Sequence, residues 1–285
     1  MKKVLAISGG VDSMVLLDRV CRDGDSSDVI VAHFNHGTRP SSTDDAEFVK
    51  RACERYGVEF ILGRTELGPT VSEEAARISR YEFFASVIAD LGGADKATLW
   101  TAHHADDLVE SMVINLIRGT GWRGIAPFGN LAVFRPFLSD EMFMTKADIL
   151  KYAFLNEVVF RQDPTNTEDR YLRNRVRHEV NNLPEKSRAE LVKIYHEMNN
   201  LRAKIDAAVD EILPEEGVFE REWFSNLPDN AALEILRAAL LRAGVSATRP
   251  QILDFLAAIR TYLPGKKFNL PGDRLVRFTK SGFVL

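Results

Sequence analysis

The feature that most constrains this chain is a six-residue loop formed by Ser8, Gly9, Gly10, Val11, Asp12 and Ser13. The apolar run at residues 4–7 has the length of a buried strand, and the apolar run at 14–17 suits the start of a helix. Two adjacent glycines let the backbone turn tightly and bring consecutive N–H groups together. The first N–H groups of the following helix add a positive dipole end, so the loop is predicted to bind phosphate.

The loop differs from the two common phosphate-binding fingerprints. It lacks the Gly-Lys-Ser/Thr end of a Walker A loop and the G-x-G-x-x-G spacing of dinucleotide-binding proteins. An aspartate and a serine at the helix start suit a site for the pyrophosphate of ATP, with Mg²⁺ near Asp12. The alternative is an ordinary strand-to-helix turn in which Asp12 only caps the helix. The two glycines, the aspartate and the two serines together favour the phosphate site.

The first half of the chain alternates short apolar segments with amphipathic ones. Strands are predicted at residues 4–7, 29–34, 59–62 and 98–102, and helices at 11–22, 44–56, 72–91 and 106–118. This order is typical of an α/β fold with a parallel, doubly wound, Rossmann-like sheet. Ligands of such sheets bind beyond the carboxyl ends of the strands, so we expect residues 8–13, 33–36 and 103–107 to converge on one crevice.

The second half of the chain is predicted to be mainly helical. Amphipathic segments cover residues 185–213, 230–243 and 251–262, and prolines separate them. Three short apolar stretches near the carboxyl end predict short terminal strands. We therefore expect two domains: a sheet domain at residues 1–180 and a smaller, mainly helical domain at residues 181–285.

Composition limits the compartment and the partners. With 285 residues, 45% hydrophobic content and a net charge of −4, the chain can fill two cores and carries no global signal for nucleic acid. The apolar run behind Lys2 and Lys3 is too short for a signal peptide, and no segment approaches the ~20 apolar residues of a membrane span. Cys21 and Cys53 form no Cys-x-x-Cys pair and predict no disulfide framework. We expect a cytoplasmic protein without a membrane partner.

A candidate acidic site follows the fourth predicted strand. His103 and His104 come directly before a helix start that carries Asp106, Asp107 and Glu110. Asp107 and Glu110 are three residues apart and share one helix face. The spacing does not match the His-Glu-x-x-His zinc motif, and no second cluster completes a tetrahedron. These acids either favour the helix N-terminus by capping and dipole, or supply a carboxylate for a substrate ammonium group.

Two further residues are candidates for the same crevice. His33 ends the second predicted strand, where histidines serve packing more often than catalysis; beside a phosphate loop, we expect it to line the adenine or α-phosphate pocket. Arg80 lies on the third predicted helix and has no acid three or four residues away. It is therefore the better candidate of that helix for a carboxylate or phosphate contact, with a solvated arginine as the alternative.

Basic residues concentrate in two places. One is a run without any acid that contains Arg170, Arg173, Arg175 and Arg177. Their spacing aligns three of them on one helix face, where they suit phosphate contact, with a solvated charged face as the alternative. The other is the carboxyl end, where Lys266 and Lys267 belong to a group of six basic residues against one acid. Aromatic residues interleave with this group, which is compatible with RNA binding and equally with a small strand core.

These motifs together resemble a known family. The first loop resembles the SGGxDS signature of the N-type ATP pyrophosphatases, also called PP-loop enzymes. Five segments resemble those of bacterial tRNA(Ile)-lysidine synthetases, in the same order: SGGVDS, HFNHGTRPSSTDDAEF, EEAARISRY, TAHHADDLVESMVINLIRGTGWRG and DPTNTEDRYLRNRVRH. The resemblance is dense from residue 1 to about 180 and weak beyond it.

The resemblance implies a fold and a reaction. The fold is an adenine nucleotide alpha hydrolase-like sheet domain followed by a tRNA-binding domain. The enzyme is a ligase that adenylates the C2 oxygen of the wobble cytidine in a CAU-anticodon isoleucine tRNA, with release of pyrophosphate from ATP. The ε-amine of free lysine then displaces AMP and forms lysidine.

The resemblance also implies roles for residues. The six residues of the first loop and His33 would bind ATP, with Mg²⁺ at Asp12. Asp107 would bind the ammonium group of lysine and Arg80 its carboxylate. The catalytic set would be Asp12, Arg80, Asp107 and Arg177, and the tRNA contacts would come from Arg170, Arg173, Arg175, Arg177, Lys266 and Lys267. Asp107 or a nearby histidine would accept the proton of the lysine amine.

Three other functions are compatible with parts of the pattern. A PP-loop tRNA thiolase shares the nucleotide site, yet such enzymes generally need paired cysteines, which Cys21 and Cys53 do not provide. An amidating ligase for a small metabolite does not need the arginine-rich run. A catalytically inert RNA-binding relative does not need Asp12, Arg80, Asp107 and Arg177 together. The oligomeric state is left open, with a homodimer as one option.

Overall fold

A computed structural model of the chain describes residues 1–23, 26–35, 37, 42–65, 73–128, 133–161, 172–215 and 217–285. These residues form two compact units, Met1–Tyr195 and His196–Leu285. Each unit has its own buried core. The domain boundary expected after residue 180 stays a prediction.

The first unit is built around a parallel sheet with the strand order β3-β2-β1-β4-β5. The strands are β1 Lys2–Ala6, β2 Val29–Asn35, β3 Glu59–Arg64, β4 Ala97–Trp100 and β5 Val133–Phe134. The chain moves outward from β1 to β3 on one side and continues with β4 on the other, so the strand order reverses between β1 and β4. Ligands of doubly wound sheets bind at such a reversal. The predicted α/β fold class is confirmed.

Helices pack on both faces of this sheet and beside it. The helices of this unit are α1 Val11–Asp23, α2 Ser42–Tyr56, α3 Glu73–Asp90, α4 Ala105–Ile117, α5 Lys146–Leu155, α6 Leu172–Asn181 and the first part of α7 Glu185–Ile212. Successive residues of a strand point to opposite faces. Leu5 of β1 accordingly packs in a cluster with residues of α1, α2 and α5, while Val4 packs in a second cluster with residues of α3. Within the described ranges, no helix has the length and apolar character needed to cross a membrane.

A buried carboxylate ties three of these helices together. Asp18 of α1 accepts hydrogen bonds from Arg22 (2.9 Å), from the hydroxyl of Tyr56 on α2 (2.5 Å) and from the hydroxyl of Tyr152 on α5 (2.8 Å). Burial by itself raises the pKa of Asp18. The three hydrogen bonds lower this pKa by more than burial raises it, so it lies below its ordinary value. Asp18 is therefore an ionised structural link that holds α5 beside α1.

The second unit completes α7 and adds α8 Arg221–Asn226, α9 Asp229–Arg242 and α10 Arg249–Thr261. Its strands pair antiparallel as β6 Val218–Glu220 with β9 Gly282–Val284, and β7 Lys267–Leu270 with β8 Arg274–Arg277. The short terminal strands are thus confirmed. Phe278 and Phe283 are buried in the core of this unit. These two aromatic residues of the basic carboxyl end therefore serve the core, which is one of the two alternatives considered for that segment.

Candidate active site

The turn between β1 and α1 is held from inside by a serine. The hydroxyl of Ser13 accepts hydrogen bonds from the backbone N–H groups of Ser8 and Gly9, each at 3.2 Å. The same hydroxyl donates to the carbonyl of Gly10 at 2.9 Å. Ser13 itself is 5% exposed. Its side chain is therefore buried inside the turn and stabilises the backbone of the loop.

The backbone of the loop favours glycine at position 9, and its N–H donors lie at the start of α1. Gly9 has φ +94°, a conformation that side chains with a Cβ disfavour. Its carbonyl accepts from the N–H of Arg161 at 2.9 Å. Val11 and Asp12 open α1, and the N–H groups of a first helical turn have no acceptor within the helix. These donors and the helix dipole suit the start of α1 to the binding of an anion, and the ATP contacts of the loop stay a prediction.

His33 lies beneath the loop. It is 4% exposed, and its Nδ1 lies 2.7 Å from the carbonyl oxygen of Ile7, the residue directly before the loop. Burial lowers the pKa of His33, so the neutral ring donates from Nδ1 to this carbonyl. The ring also stacks near Phe60, with 6.4 Å between centroids. These contacts let His33 support the loop from below, and its contact with ATP stays a prediction.

Asp12 meets a cation from α5 and a histidine from the segment before α4. The Nζ of Lys146 lies 2.5 Å from Oδ1 of Asp12, and Nε2 of His104 lies 3.8 Å from the same oxygen. The loops that follow β1 and β4 therefore meet at Asp12, as expected for segments 8–13 and 103–107. His36, at the end of the third expected segment, lies outside the described residues.

The acids at the start of α4 have different partners. His104 caps α4: its N–H donates to Oδ2 of Asp107 at 3.2 Å, and the N–H of Asp107 lies 3.4 Å from Nδ1 of His104. Asp106 instead accepts from the N–H of Lys146 at 2.7 Å and from Nη1 of Arg188 at 3.0 Å. Capping, one of the two alternatives for these acids, thus applies to Asp107, while Asp106 joins α4 to α5 and α7.

His104 is surrounded by carboxylates. Burial lowers its pKa, but the hydrogen bond to Asp106 and the charges of Asp107 and Asp12 outweigh burial, so the pKa is raised above its ordinary value. Nδ1 lies 3.5 Å from Oδ2 of Asp106. When protonated, Nδ1 donates to Asp106; when unprotonated, it accepts from the N–H of Asp107. His104 can therefore hold a proton beside two acids at the carboxyl end of the sheet.

Arg177 is fixed by an acid one turn further along α4. Its Nε lies 2.7 Å from Oε1 of Glu110, and its Nη2 lies 3.3 Å from Oε2. The side chain of Glu110 is 2% exposed and that of Arg177 is 38% exposed. The hydrogen bonds that Arg177 donates to Glu110 raise the pKa of Arg177, so the guanidinium stays charged. Because Asp107 and Glu110 share one face of α4, Arg177 is held along the same face as Asp107.

The remaining predicted residues lie on other elements or outside the described part of the chain. Arg80 is half-buried on α3, with its Cζ 6.0 Å from the ring centroid of Tyr81. Exposed basic residues are Arg175 on α6 and Lys266 and Lys267 at β7. Arg170 and the side chain of Arg173 lie outside the described residues. The lysine-binding and RNA-binding roles of these residues stay predictions.

Two contact residues, Lys146 and Arg188, were missed by the sequence analysis. His104 and Glu110 were named as candidates, but the capping role of His104 and the pairing of Glu110 with Arg177 were not. Lys146 opens α5, which was not predicted, although Thr145 as N-cap and Asp148 three residues later form a capping box that marks a helix start. The pairing partners themselves had no local signal, because Lys146 is 134 residues from Asp12 along the chain.

A divalent cation would find one carboxylate at the loop. Among the described residues, no group of three or more His, Cys, Asp or Glu side chains is arranged to hold a metal ion. Mg²⁺ at phosphate sites commonly uses one or two carboxylates together with phosphate oxygens. Asp12 fits this mode because its side chain is 34% exposed at the anion-binding end of α1. The cation that Asp12 contacts in this structure is Lys146.

Comparison with known proteins gives a family. Residues 1–184 match the PP-loop domain. The bifunctional protein TilS/HprT of Listeria monocytogenes is 36% identical over 193 residues, which cover 63% of this chain and 29% of that protein. The tRNA(Ile)-lysidine synthase of Geobacter sulfurreducens is 32% identical over 185 residues, covering 62% of this chain and 39% of that protein. This chain thus spans less than half the length of these two relatives.

One relative aligns over nearly the whole chain. The tRNA(Ile)-lysidine synthase of Neisseria meningitidis serogroup B is 31% identical over 304 residues, covering 99% of this chain and 68% of that protein. The U34-tRNA thiolase NcsA of Methanococcus maripaludis superposes with a TM-score of 0.57 at 19% identity, covering 70% of this chain and 73% of that one, and so shares the fold. The chain belongs to the tRNA(Ile)-lysidine synthase family of PP-loop proteins.

Proposed function

We propose that this chain is a tRNA(Ile)-lysidine synthase, a ligase that forms a carbon–nitrogen bond. It uses ATP to adenylate the C2 oxygen of the wobble cytidine in a CAU-anticodon isoleucine tRNA, and then joins the ε-amine of lysine to C2 as AMP leaves. The observation that carries the proposal is the meeting of the phosphate loop with the acids of α4, where His104 lies 3.8 Å from Asp12. Family membership supports it. The proposed compartment is the cytoplasm.

The proposed adenylation site is the start of α1. The N–H groups of Val11 and Asp12 would bind the phosphates of ATP, and the ammonium group of Lys146 adds positive charge beside them. Negative charge develops at the α-phosphate as the C2 oxygen attacks, and donors that are fixed in advance stabilise it without reorganisation. Mg²⁺ bound to Asp12 would supply further positive charge to the phosphate oxygens.

Arg177 would offer one edge of its guanidinium to a ligand, because the other edge is held by Glu110. Glu110 engages Nε and Nη2 of the guanidinium, which leaves Nη1 directed away from that carboxylate. A planar guanidinium that is held along one edge can bind a phosphate oxygen with the other. This geometry supports the proposed role of Arg177 in binding ATP or the tRNA backbone. Arg170, Arg173, Arg175, Lys266 and Lys267 are proposed as further tRNA contacts.

Lysine would bind between an acid and an arginine. Asp107 is proposed to bind its ammonium group and Arg80 its carboxylate. The amine must lose a proton before it attacks C2, and Asp107 or His104 would accept it. The carboxylates around His104 raise its pKa, so they stabilise the proton that its ring would take up.

The Asp107→Asn variant distinguishes adenylation from lysine transfer. In Asp107→Asn, we expect lysine transfer to be lost while adenylation is partly retained, because the amide carries no charge for the ammonium group and Asp12 remains in place. Pyrophosphate release and lysine incorporation are measured in the same reaction. Normal use of lysine by this variant would show that Asp107 does not bind lysine.

The reaction itself is tested by incubation with ATP, Mg²⁺, radiolabelled lysine and a CAU-anticodon isoleucine tRNA transcript, followed by nucleoside analysis. Lysidine at the wobble position, absent with Asp12→Ala, supports the proposal. Pyrophosphate release without lysine incorporation would point to another nucleophile or another RNA. The absence of ATP turnover with any tRNA would overturn the proposal in favour of an RNA-binding relative without activity.

A tRNA thiolase is disfavoured by the cysteines. Thiolate chemistry requires a cysteine of lowered pKa. Burial raises the pKa of Cys21 to about 11 and that of Cys53 to about 12. Both side chains pack in the cluster between the sheet and α1 and α2, and the chain has no other cysteine. The similarity to NcsA therefore reflects a shared fold.

A further inference from the structure

Asp106 is a buried carboxylate with no role in the proposed chemistry. Its side chain is 6% exposed and has polar partners on two other helices, α5 and α7. Burial raises the pKa of Asp106, but hydrogen bonds from His104 and the N–H of Lys146 and the charge of Arg188 lower it more, so the pKa lies far below its ordinary value. Asp106 is thus a permanent negative charge between α4, α5 and α7.

One oxygen of Asp106 fixes the start of α5. Lys146 is the first residue of that helix, and its N–H, which has no acceptor within the helix, donates to Oδ2 of Asp106 at 2.7 Å. The capping box of Thr145 and Asp148 satisfies other groups at the same helix end. Asp106 therefore sets the position of the Lys146 backbone relative to α4.

The other oxygen of Asp106 is occupied by Arg188. Nη1 of Arg188 lies 3.0 Å from Oδ1, and the side chain of Arg188 is 29% exposed. The arginine compensates the buried charge of Asp106, so the nearby ammonium group of Lys146 is not drawn to it. The ammonium group instead contacts Asp12 at 2.5 Å. The backbone N–H of Lys146 therefore binds Asp106, and its ammonium group binds Asp12.

We infer that Asp106 and Arg188 form a positioning pair that directs the ammonium group of Lys146 to the Asp12 carboxylate at the phosphate loop. Both residues act through Lys146, and neither is placed against a substrate. The role of this ammonium group at ATP rests on the proposed function. Its placement can be measured without any substrate.

The first test measures the reactivity of the Lys146 amine. Reductive methylation with formaldehyde and cyanoborohydride, quantified by peptide mass spectrometry, is compared between the wild type, Asp106→Asn and Arg188→Met. Lys193→Met is the matched control, because Lys193 lies on the same helix as Arg188 in an exposed pair with Glu190 at 2.9 Å. In Arg188→Met, the uncompensated Asp106 carboxylate should draw the ammonium group of Lys146 away from Asp12 into the buried site, so its modification should slow about threefold. In Asp106→Asn, the start of α5 loses its charged acceptor and the ammonium group is released from Asp12, so modification should be about threefold faster. The control should leave the rate unchanged.

The second test separates ATP binding from lysine use. In Asp106→Asn and Arg188→Met, we expect the KM for ATP to rise about tenfold, with a smaller change in the KM for lysine, because misplacement by a fraction of an ångström affects the phosphate site first. Arg188→Lys keeps the charge and should restore most of the ATP affinity. Circular dichroism confirms folding, and Arg188→Met decides the question if Asp106→Asn does not fold.

The outcomes distinguish this inference from the proposed function. Unchanged Lys146 reactivity in a folded Arg188→Met variant overturns the positioning pair, whatever the enzyme catalyses. An equal change in Lys193→Met overturns it as well. Slower modification in Arg188→Met and faster modification in Asp106→Asn, with the control unchanged, support it, even if the wild type forms no lysidine and the proposed function fails.

Discussion

Removal of Arg177 should cost far more stability than removal of its partner. Glu110 is 2% exposed, whereas Arg177 is 38% exposed and reaches solvent. In Arg177→Met, the Glu110 carboxylate stays buried without its counter-charge, which costs about 3 kcal/mol, the lower end of the range for a broken buried pair. In Glu110→Gln, Arg177 can rehydrate and the amide oxygen can still accept one hydrogen bond, so the cost is about 1 kcal/mol.

The double variant gives the sharpest form of this prediction. Glu110→Gln in the Arg177→Met background removes the uncompensated buried charge, so the double variant should be more stable than Arg177→Met alone by about 1–2 kcal/mol. Urea unfolding followed by circular dichroism measures all three variants. Arg175→Met is the matched control, because Arg175 is an exposed arginine on the same helix and its removal should change stability by less than about 0.5 kcal/mol.

The same variants separate stability from activity. Glu110→Gln keeps the charge of Arg177 but releases its position, so the proposed lysidine formation should fall on the order of tenfold although the protein remains folded. The reasoning is refuted if Arg177→Met is no less stable than Glu110→Gln. It is also refuted if the double variant is less stable than Arg177→Met alone, since the buried carboxylate would then not be the source of the cost.

Two further predictions concern the loop and the helices around it. In Ser13→Ala, two backbone N–H groups of the loop lose their acceptor. We expect the free energy of unfolding in urea to fall by about 1–3 kcal/mol and ATP binding in equilibrium dialysis to weaken. Unchanged stability would show that water replaces the hydroxyl. Because hydrogen bonds lower the pKa of Asp18, its stabilising contribution is complete above the unfolded value of ~3.9 and is lost as pH falls through the lower folded value. The difference in stability between wild type and Asp18→Asn should therefore be larger at pH 7 than at pH 3, and a constant difference in thermal unfolding would contradict it.

The fold was predictable because its signals are local. Apolar runs of strand length and helical periodicity recur through residues 1–118, and a glycine turn marks the first strand end. Parallel strands bring their carboxyl ends to one edge, so the approach of residues 8–13 to 103–107 followed from the fold class alone. The element β5 was missed because it has two residues, too few for any periodicity.

The contacts of the site were not predictable to the same degree. The pattern identified Arg177 and Glu110 as separate charged residues, but they lie 67 positions apart, and only the packing of α6 beside α4 brings them together. Asp106 and Arg188 lie 82 positions apart, and helix packing likewise brings them together. Local spacing shows which charges share a helix face, whereas the partner of each charge depends on which helix packs against that face.

The pairing of charges explains how acids can lie beside a loop that binds an anion. Carboxylates near ATP would repel its phosphates, and in a partly buried site the repulsion is weakly screened. In this structure each such acid has a cationic or donor group beside it. Another segment supplies Lys146 for Asp12, Arg188 for Asp106 and Arg177 for Glu110, and the cap of the same helix supplies His104 for Asp107. The acids therefore hold cations at the proposed phosphate site, and these cations offset the repulsion of the ligand. Loss of any one cation should impair ATP binding more than its own contact with phosphate would explain, because the acid it leaves behind becomes a repulsive charge.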